Sequence, residues 1–309
     1  MSHRTAHGTR RVARVAAHAK VNLSLRILAR EDGGHHQLET DFHRLTLADD
    51  VTVTVADGEG ITLRADVAFD VPPDRNLAVR AANAYRAAAG WHERAITIDL
   101  VKRIPMGGGL GGGSADAGAV LRALDACNDV PLGAETLARL ATALGADVAF
   151  LTLDAPRALA WGRGERMLAL PPLGASTVHL ACFGEGVNTA AAYGWLAAER
   201  AARADAPSAL LHDVATLADF AHVRAAAANA FEPVVCARRA DVRGTIDAWR
   251  ATLAGTPSLV LLSGSGATVF AVVHGEANDA ALAHAAAAHG ARHVRTTLLD
   301  RVAAPTVEV

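Results

Sequence analysis

The feature that most constrains the fold is a run of glycines between two periodic apolar segments. Six of the seven residues from Gly107 to Gly113 are glycine, and the exception is Leu110. Alternating apolar residues over 95–101 predict a strand before the run, and apolar spacing over 114–127 predicts a helix after it. Glycine lacks Cβ, so the backbone can adopt positive φ and approach a ligand closely. A strand, a glycine loop and a helix N-terminus are together typical of a phosphate-binding site.

Three other interpretations of the glycine run are weaker. A flexible linker is usually rich in serine and flanked by polar sequence, whereas periodic apolar segments adjoin this run at both ends. The P-loop pattern fails, because no Lys-Ser or Lys-Thr pair follows Gly113. Gly107, Gly109 and Gly112 satisfy the dinucleotide-binding pattern, but any glycine run does so. A strand ending in an acidic residue, which that fold needs, does not follow the helix.

Composition excludes several classes of function. The chain has 309 residues with a net charge of −2, so no general basic field attracts nucleic acid. Aromatic residues make up 4%, too few for a surface on which bases stack. Three distant cysteines lack the spacing of a zinc site, and we find neither a signal peptide nor an apolar run of membrane length. We therefore expect a cytoplasmic protein that binds neither nucleic acid nor membrane.

Strands and helices mix without strict β-α-β alternation, which predicts an α+β fold. Residues 1–10 are basic and polar, and we expect a disordered tail there. Pro171-Pro172 is the best candidate boundary and divides the rest into domains over 11–170 and 171–309. The predicted strands cover 21–27, 51–55, 61–63, 95–101, 158–161, 177–183, 258–262 and 268–273. The predicted helices cover 76–89, 114–127, 134–144, 190–202, 208–228, 241–254 and 277–289.

A phosphate loop that transfers phosphoryl groups needs a cation and a proton acceptor beside it. Lys20 shares the polar face of a predicted half-buried strand with Asn22, although a lone lysine is most often an ordinary surface residue. Asp147 stands where the second of two helices is predicted to end, and a lone aspartate there is most often a capping residue. Ser114 can cap the helix after the loop, or bind phosphate and metal.

Four motifs, taken in order, resemble those of the GHMP kinase superfamily, which includes galactokinase and the homoserine, mevalonate and phosphomevalonate kinases. They are Ala19-Lys-Val-Asn-Leu-Ser-Leu25, Asp32-Gly-Gly-His-His-Gln-Leu-Glu-Thr40, Pro105–Ala117 and Leu144-Gly-Ala-Asp-Val148. The tail motif Ser263-Gly-Ser-Gly-Ala267 is also similar. Within the superfamily, the first and fourth motifs resemble those of the 4-diphosphocytidyl-2-C-methyl-D-erythritol kinases of the non-mevalonate isoprenoid pathway. The resemblance spans about residues 12–300.

The resemblance implies a two-domain α+β fold, with an N-terminal ATP-binding domain, a C-terminal ferredoxin-like domain and the site in the cleft between them. It implies transfer of the ATP γ-phosphoryl group to the 2-hydroxyl of the erythritol moiety, where Asp147 accepts the proton and Lys20 stabilises charge. ATP and Mg²⁺ are the implied cofactors, with Ser114 as a candidate Mg²⁺ ligand, and we expect a monomer or a weak homodimer. The implied ATP-binding residues are Pro105, Met106, Gly107, Gly108, Gly109, Leu110, Gly111, Gly112, Gly113, Ser114 and Ala115. The implied substrate-binding residues are Asn22, His35, His36, Thr189, Tyr193, Gly264, Ser265 and Gly266.

The sequence departs from the family pattern at a few positions. His35 stands where the family has a tyrosine that stacks on the cytosine side, and Tyr193 aligns with a second stacking aromatic, usually phenylalanine. His18 replaces a proline, and Ala115 replaces a second serine. Metal binding by the tandem His35-His36 is a weak alternative, because no third ligand is in view.

Two other functions compete with the cytidyl-substrate kinase. One is another GHMP small-molecule kinase with the same ATP loop and a different hydroxyl acceptor. The other is a non-catalytic nucleotide-binding relative, against which the presence of both Lys20 and Asp147 argues.

Overall fold

The computed structural model describes residues 10–174, 176–203 and 213–309. Apart from Arg10, the tail expected to be disordered lies outside the described residues. The strands are β1 (Arg11–Arg30), β2 (His36–Asp57), β3 (Ile61–Ala65), β4 (Arg94–Val101), β5 (Arg157–Gly162), β6 (Arg166–Leu170), β7 (Thr177–Cys182), β8 (Ser258–Leu262), β9 (Val269–Val273), β10 (Arg292–Thr297) and β11 (Thr306–Glu308). The helices are α1 (Leu77–Ala88), α2 (Gly112–Cys127), α3 (Ala134–Leu144), α4 (Ala146–Thr152), α5 (Thr189–Arg203), α6 (Val214–Leu217), α7 (Phe220–Ala226), α8 (Glu232–Cys236), α9 (Ala240–Thr252) and α10 (Asp279–Ala288).

Two long antiparallel strands, β1 and β2, form the centre of the first sheet. The strand order is β11-β1-β2-β4-β3, and β2 also pairs with β5, which pairs with β6. Helix α2 packs on β1 and β2 and against α1 and α4. Residues such as Val21, Val53, Ile98 and Leu121 are buried in the core between these layers. Because α2 lies over the middle of β1, the glycine loop that leads into α2 also lies against β1.

The second sheet is antiparallel, with the order β10-β7-β9-β8. Helices connect β7 to β8 and β9 to β10, which gives the ferredoxin-like β-α-β-β-α-β arrangement. One face of this sheet packs against α9 and α10 around Trp249 and Leu282. The other face, with Val178 and Phe270, belongs to the same core as the first sheet. The α+β class and the ferredoxin-like second unit expected from the sequence are confirmed.

The last described strand, β11, returns to the first sheet and pairs with β1. The end of the chain therefore contributes to the sheet that its beginning also builds. The domain boundary at Pro171-Pro172 stays a prediction.

The structure corrects several expectations about individual elements. β1 is not half-buried: its polar residues Lys20, Asn22 and Ser24 are almost wholly buried, like the apolar residues between them. Asp147 does not end a helix, because α3 stops before Gly145 and a new helix, α4, starts at Ala146. Strands β6, β10 and β11 and the short helix α8 were not predicted.

The helix predicted over 208–228 is divided in the structure. Its residues 208–212 lie outside the described residues, and the remainder forms α6 and α7. Each of these helices has an aspartate N-cap, because the side chains of Asp213 and Asp219 accept hydrogen bonds from the backbone N–H groups of Ala215 and Ala221. A capping aspartate begins a helix at its own position, so the second cap separates the two helices.

Candidate active site

A cavity of about 550 Å³ lies between the glycine loop, the middle of β1, the start of α4 and the β8–β9 turn. Of the residues expected in the site, its wall contains Lys20, Asn22, Pro105, Gly107, Gly108, Gly109, Leu110, Gly111, Gly112, Gly113, Ser114, Asp147, Thr189, Tyr193, Gly264, Ser265 and Gly266. Nine further residues line the cavity that were not expected to be site residues: Leu25, Leu38, Thr40, Phe42, Leu77, Ala146, Val187, Asn188 and Phe231. Four expected residues are outside this wall: Met106 and His35 are exposed, Ala115 is buried in the core, and His36 lies behind Tyr193.

The glycine loop packs backbone to backbone against its neighbours. Gly107, Gly109 and Gly111 have φ values of 73°, 82° and 74°, so the loop uses the left-handed region at every second residue. The carbonyl oxygen of Gly109 accepts hydrogen bonds of 3.0 Å from both Lys20 Nζ and Ser263 Oγ. A Cβ on Gly109 would overlap the carbonyl oxygen of Ser263. The loop can therefore lie between β1 and the β8–β9 turn only if these positions carry no side chain.

Helix α2 begins at Gly112, and its N-cap is Gly111, which has no side-chain hydrogen bond to the helix. Ser114 is therefore the third residue of the helix, and the possibility that Ser114 caps it is wrong. The first N–H groups of a helix have no partner within the helix, and the helix dipole favours an anion beside them. Since Gly112, Gly113 and Ser114 line the cavity, this end of α2 offers an anion-binding surface to whatever occupies it.

Lys20 and Asp147 form an ion pair at the floor of the cavity. Lys20 Nζ lies 3.4 Å from Asp147 Oδ2, and it donates hydrogen bonds to Asn22 Oδ1 at 2.9 Å and to the Gly109 carbonyl oxygen at 3.0 Å. The Lys20 side chain is 4% exposed and that of Asp147 is 35% exposed. The oxygen partners compensate for the burial of the lysine, while the carboxylate remains accessible from the cavity.

Asp147 lies in the first turn of α4, where the helix dipole favours a negative charge. Asn22 is held in one orientation, because its Nδ2 donates to Thr40 Oγ1 at 2.8 Å, and that hydroxyl donates to the Ser24 carbonyl oxygen at 2.7 Å. The amide oxygen of Asn22 is thereby directed at Lys20. The ion pair is thus supported from β1, β2 and α4 together.

Aromatic side chains form one region of the cavity wall, which we call the aromatic end. The rings of His36 and Tyr193 stack with centroids 4.1 Å apart and an angle of 17° between planes, and Phe231 meets Tyr193 edge-on at 4.9 Å. Burial raises the pKa of Tyr193, and the charge of Asp147 raises it further. Burial lowers the pKa of His36, as do the neighbouring Arg30 and Arg200. Both pKa shifts favour the uncharged ring, which suits stacking with a neutral base.

Two loops from the second half of the chain close the cavity. Thr189 Oγ1 and Ser265 Oγ lie 3.0 Å apart, which connects the start of α5 to the β8–β9 turn. Gly186 approaches the glycine loop so closely that a Cβ there would overlap the Gly107 carbonyl oxygen. These contacts place hydroxyl groups from the second half of the chain opposite the glycine loop.

The described residues hold no group of three or more His, Cys, Asp and Glu side chains placed to bind a metal ion. The tandem His35-His36 thus gains no third ligand within that part of the chain. In the same part, no helix is both long and apolar enough to cross a membrane. Cys127, Cys182 and Cys236 are unpaired.

Comparison with known proteins identifies relatives along most of the chain. Residues 76–154 match the family described as GHMP kinases N terminal domain. The 4-diphosphocytidyl-2-C-methyl-D-erythritol kinase of Nitratidesulfovibrio vulgaris is 37% identical over 88% of this chain and 94% of its own length. That of Parvibaculum lavamentivorans is 39% identical over 89% of this chain and 94% of its own length. A crystal structure of 4-(cytidine 5'-diphospho)-2C-methyl-D-erythritol kinase, 32% identical, matches with a TM-score of 0.73 over 92% of this chain and 98% of its own.

Proposed function

This chain belongs to the 4-diphosphocytidyl-2-C-methyl-D-erythritol kinases, and on that premise we propose how its cavity carries out their reaction. The protein is an ATP-dependent kinase that phosphorylates the 2-hydroxyl of 4-diphosphocytidyl-2-C-methyl-D-erythritol in the non-mevalonate isoprenoid pathway. The observation that carries the proposed mechanism is the Lys20–Asp147 ion pair, 3.4 Å across, at the floor of a cavity that the glycine loop also lines.

In the proposed reaction, the substrate's 2-hydroxyl lies against Asp147 and Lys20. A carboxylate oxygen of Asp147 accepts the hydroxyl proton as the oxygen attacks the γ-phosphorus of ATP, and ADP leaves with the electrons of the broken P–O bond. Lys20 Nζ stabilises the negative charge that develops between the two oxygens. The glycine loop and the first turn of α2 hold the phosphates, because the first N–H groups of a helix have no partner within the helix and favour an anion.

The cytidyl end of the substrate is proposed to bind at the aromatic end of the cavity. Tyr193 and Phe231 line the cavity there, and His36 supports Tyr193 from behind. His35, at the position where the family has tyrosine, is exposed and outside the cavity wall. We therefore assign base stacking to Tyr193, with His36 in support, and no direct role to His35.

Mg²⁺ is proposed to arrive with ATP. The described part of the cavity wall offers one carboxylate, Asp147, and several hydroxyls, of which that of Ser114 lies in the first turn of α2. Mg²⁺ keeps several waters and takes ligands from substrate phosphates more readily than from an all-protein cage, so these residues fit it. When bound, the ion would neutralise phosphate charge, and Ser114 is the protein group proposed to contact it. A monomer or weak homodimer in the cytoplasm, where free thiols such as those of the three cysteines persist, completes the proposal.

The first experiment measures ATP consumption with 4-diphosphocytidyl-2-C-methyl-D-erythritol, and with mevalonate, homoserine and galactose as controls. Asp147→Asn should lower kcat about 10²- to 10⁴-fold while ATP binding is kept, because it removes the proton acceptor without changing shape. Asp247→Asn is the matched control: Asp247 is exposed on α9, outside the cavity wall, and turnover should be unchanged. Near-normal turnover in Asp147→Asn would show that another group accepts the proton, and activity on a control acceptor alone would reassign the substrate.

A further inference from the structure

Beneath the ion pair lies a stack of two aromatic rings with a cation at each end. Lys20 Nζ is 5.6 Å from the centroid of the Phe42 ring. The rings of Phe42 and Phe150 stack at 4.9 Å with an angle of 12° between planes. On the far side, Arg44 Cζ lies 5.2 Å from the centroid of the Phe150 ring. We refer to Lys20, Phe42, Phe150 and Arg44 as the ring stack.

Arg44 is bound to the C-terminal end of α4. One of its guanidinium nitrogens, Nη2, donates to the carbonyl oxygens of Phe150 at 2.8 Å and Leu153 at 2.6 Å. The carbonyls at the end of a helix carry partial negative charge, so a cation there stabilises the helix. Arg44 is 1% exposed, and burial lowers its pKa to about 9. A guanidinium group is costly to bury, and its hydrogen bonds here go to the end of α4.

Helix α4 needs such an anchor to hold a fixed position. It has seven residues, about two turns, and a helix this short is not stable without tertiary contacts. Asp147 and Phe150 are three residues apart, so they lie on neighbouring surfaces of the helix and move together. The Phe150 ring stacks on the Phe42 ring, and the Phe42 ring packs against the ammonium group of Lys20. The ring stack therefore connects both members of the ion pair through side chains that the reaction does not use.

We propose that Arg44 is a positioning residue for phosphoryl transfer, which holds α4 so that Asp147 meets the substrate hydroxyl beside Lys20. This inference rests on the proposed roles of Asp147 and Lys20. Arg44 touches neither substrate nor ATP in this scheme. Its effect passes through Phe150 and the backbone of α4.

The test is a double-mutant cycle between Arg44→Met and Asp147→Asn, measured as kcat and KM with ATP and the cytidyl substrate. Arg44→Met should lower kcat about 10- to 100-fold, since a shift of about 1 Å at a catalytic group can cost that much. KM for ATP should stay within about twofold, because the phosphate loop is untouched. Arg44→Lys, which restores a cation to the helix end, should recover part of the loss. In the Asp147→Asn background, Arg44→Met should have little further effect on kcat, because its path runs through Asp147.

A second pair of variants tests the same inference if Arg44→Met does not fold. Phe150→Leu breaks the ring stack while keeping an apolar side chain, and it should give the same non-additive loss of kcat. Phe220→Leu is the matched control, because Phe220 is also buried, stacked on a ring and placed on a seven-residue helix. It should lower the melting temperature without lowering kcat.

Two outcomes would overturn the inference. If Arg44→Met and Phe150→Leu lower kcat by the same factor with or without Asp147, Arg44 contributes only to general stability. If both variants keep full kcat, turnover does not require Arg44 or the ring stack to hold α4 in position. A third result, in which Asp147→Asn alone keeps full kcat, would overturn the role of Asp147 itself and with it the path proposed for Arg44.

Discussion

Close backbone approaches around the cavity depend on single residues that lack a side chain. A Cβ on Gly108 would overlap Thr268 Oγ1, one on Gly109 would overlap the Ser263 carbonyl oxygen, and one on Gly186 would overlap that of Gly107. No rotamer change relieves an overlap with backbone. The two halves of the chain can therefore meet at the phosphate loop only because Gly109 and Gly186 are glycine.

Gly109→Ala should lower the free energy of unfolding by about 1–3 kcal/mol, because alanine is strained at a φ of 82° and overlaps the Ser263 backbone. KM for ATP should rise, since the loop must shift. Gly113→Ala is the control: a Cβ there meets no atom within 4 Å, and α2 should gain up to about 1 kcal/mol from the better helix former. Urea unfolding followed by circular dichroism measures the free energy of unfolding of both variants. Equal losses in the two variants would contradict the overlap argument.

Tyr193→Ala tests the aromatic end of the cavity. Loss of the ring should weaken binding of the cytidyl substrate by about 1–3 kcal/mol, the range for base–aromatic stacking, with KM for ATP unchanged. Trp195→Ala is the matched control, since Trp195 is on the same helix but stacks on Arg238 outside the cavity wall. Steady-state kinetics with each substrate varied in turn measures both effects. An unchanged KM for the cytidyl substrate would remove Tyr193 from the pocket.

At the scale of elements, the site is set by how α2 packs on α4. α2 presents the anion-binding end of its helix, and α4 presents Asp147. Their backbones approach at Gly118, where a Cβ would lie 2.6 Å from the Leu151 carbonyl oxygen. The close approach at Gly118 is therefore one of the contacts that set the distance between the anion-binding end of α2 and Asp147.

Gly118→Ala should force α4 away from α2, which lowers the free energy of unfolding by about 1–3 kcal/mol and also lowers kcat. The control is Gly194→Ala in α5, an exposed helical glycine whose Cβ would meet no atom within 4 Å. That change should stabilise the protein by up to about 1 kcal/mol. Thermal unfolding and kcat should be measured on the same preparations. A Gly118→Ala enzyme with unchanged kcat would mean that the spacing of these helices does not matter for turnover.

At the scale of the whole molecule, two buried histidines, His43 and His179, and the half-buried His18 make stability depend on pH. Burial lowers the pKa of His18 to about 4, of His43 to about 3 and of His179 to about 4. Each makes a hydrogen bond through Nδ1, to the Leu45 carbonyl, the Arg44 carbonyl and the His293 ring respectively. These histidines lie on β1, β2 and β7, so both sheets contain at least one.

The direction in which the free energy of unfolding changes with pH follows from proton uptake. An unfolded histidine has a pKa near 6.5, so below that pH the unfolded state binds protons that the folded state does not. The stabilisation from neutral burial is complete above pH 6.5 and is lost as the pH falls toward 3 to 4. Each histidine should contribute a slope of about 1.4 kcal/mol per pH unit within that window.

His43→Gln should therefore flatten the fall in unfolding free energy between pH 6 and pH 4.5 by about 1.4 kcal/mol per pH unit, even if it lowers stability at pH 7.5. His92→Gln, at an exposed position, should leave the slope unchanged. Urea unfolding at a series of pH values measures the slope. A slope that is the same in His43→Gln and the wild type would show that His43 is not neutral in the folded protein.

Local patterns in the sequence were sufficient for part of this description. The glycine run, the period-two strands and helices such as α1, which Asn76 caps, follow from residues close together in the chain. Lys20 and Asp147 could be named from such patterns, and they lie together in the structure. Strands β10 and β11 were not predicted because each has a single apolar residue, a valine, and therefore no apolar alternation.

Other features could be decided only by the tertiary structure, because they depend on residues distant in sequence. The polar face of β1 is buried because the glycine loop, 89 residues away, packs on Lys20. The Arg44 guanidinium donates to the carbonyl oxygen of Leu153, 109 residues away, and no local sequence pattern predicts that contact. His36, and not His35, meets Tyr193 because β2 begins at His36, whereas His35 lies in the exposed segment before the strand. The sequence by itself determined which local elements form and which chemistry they can carry. The packing of those elements decided which side chains meet, because burial and contact are properties of the folded chain.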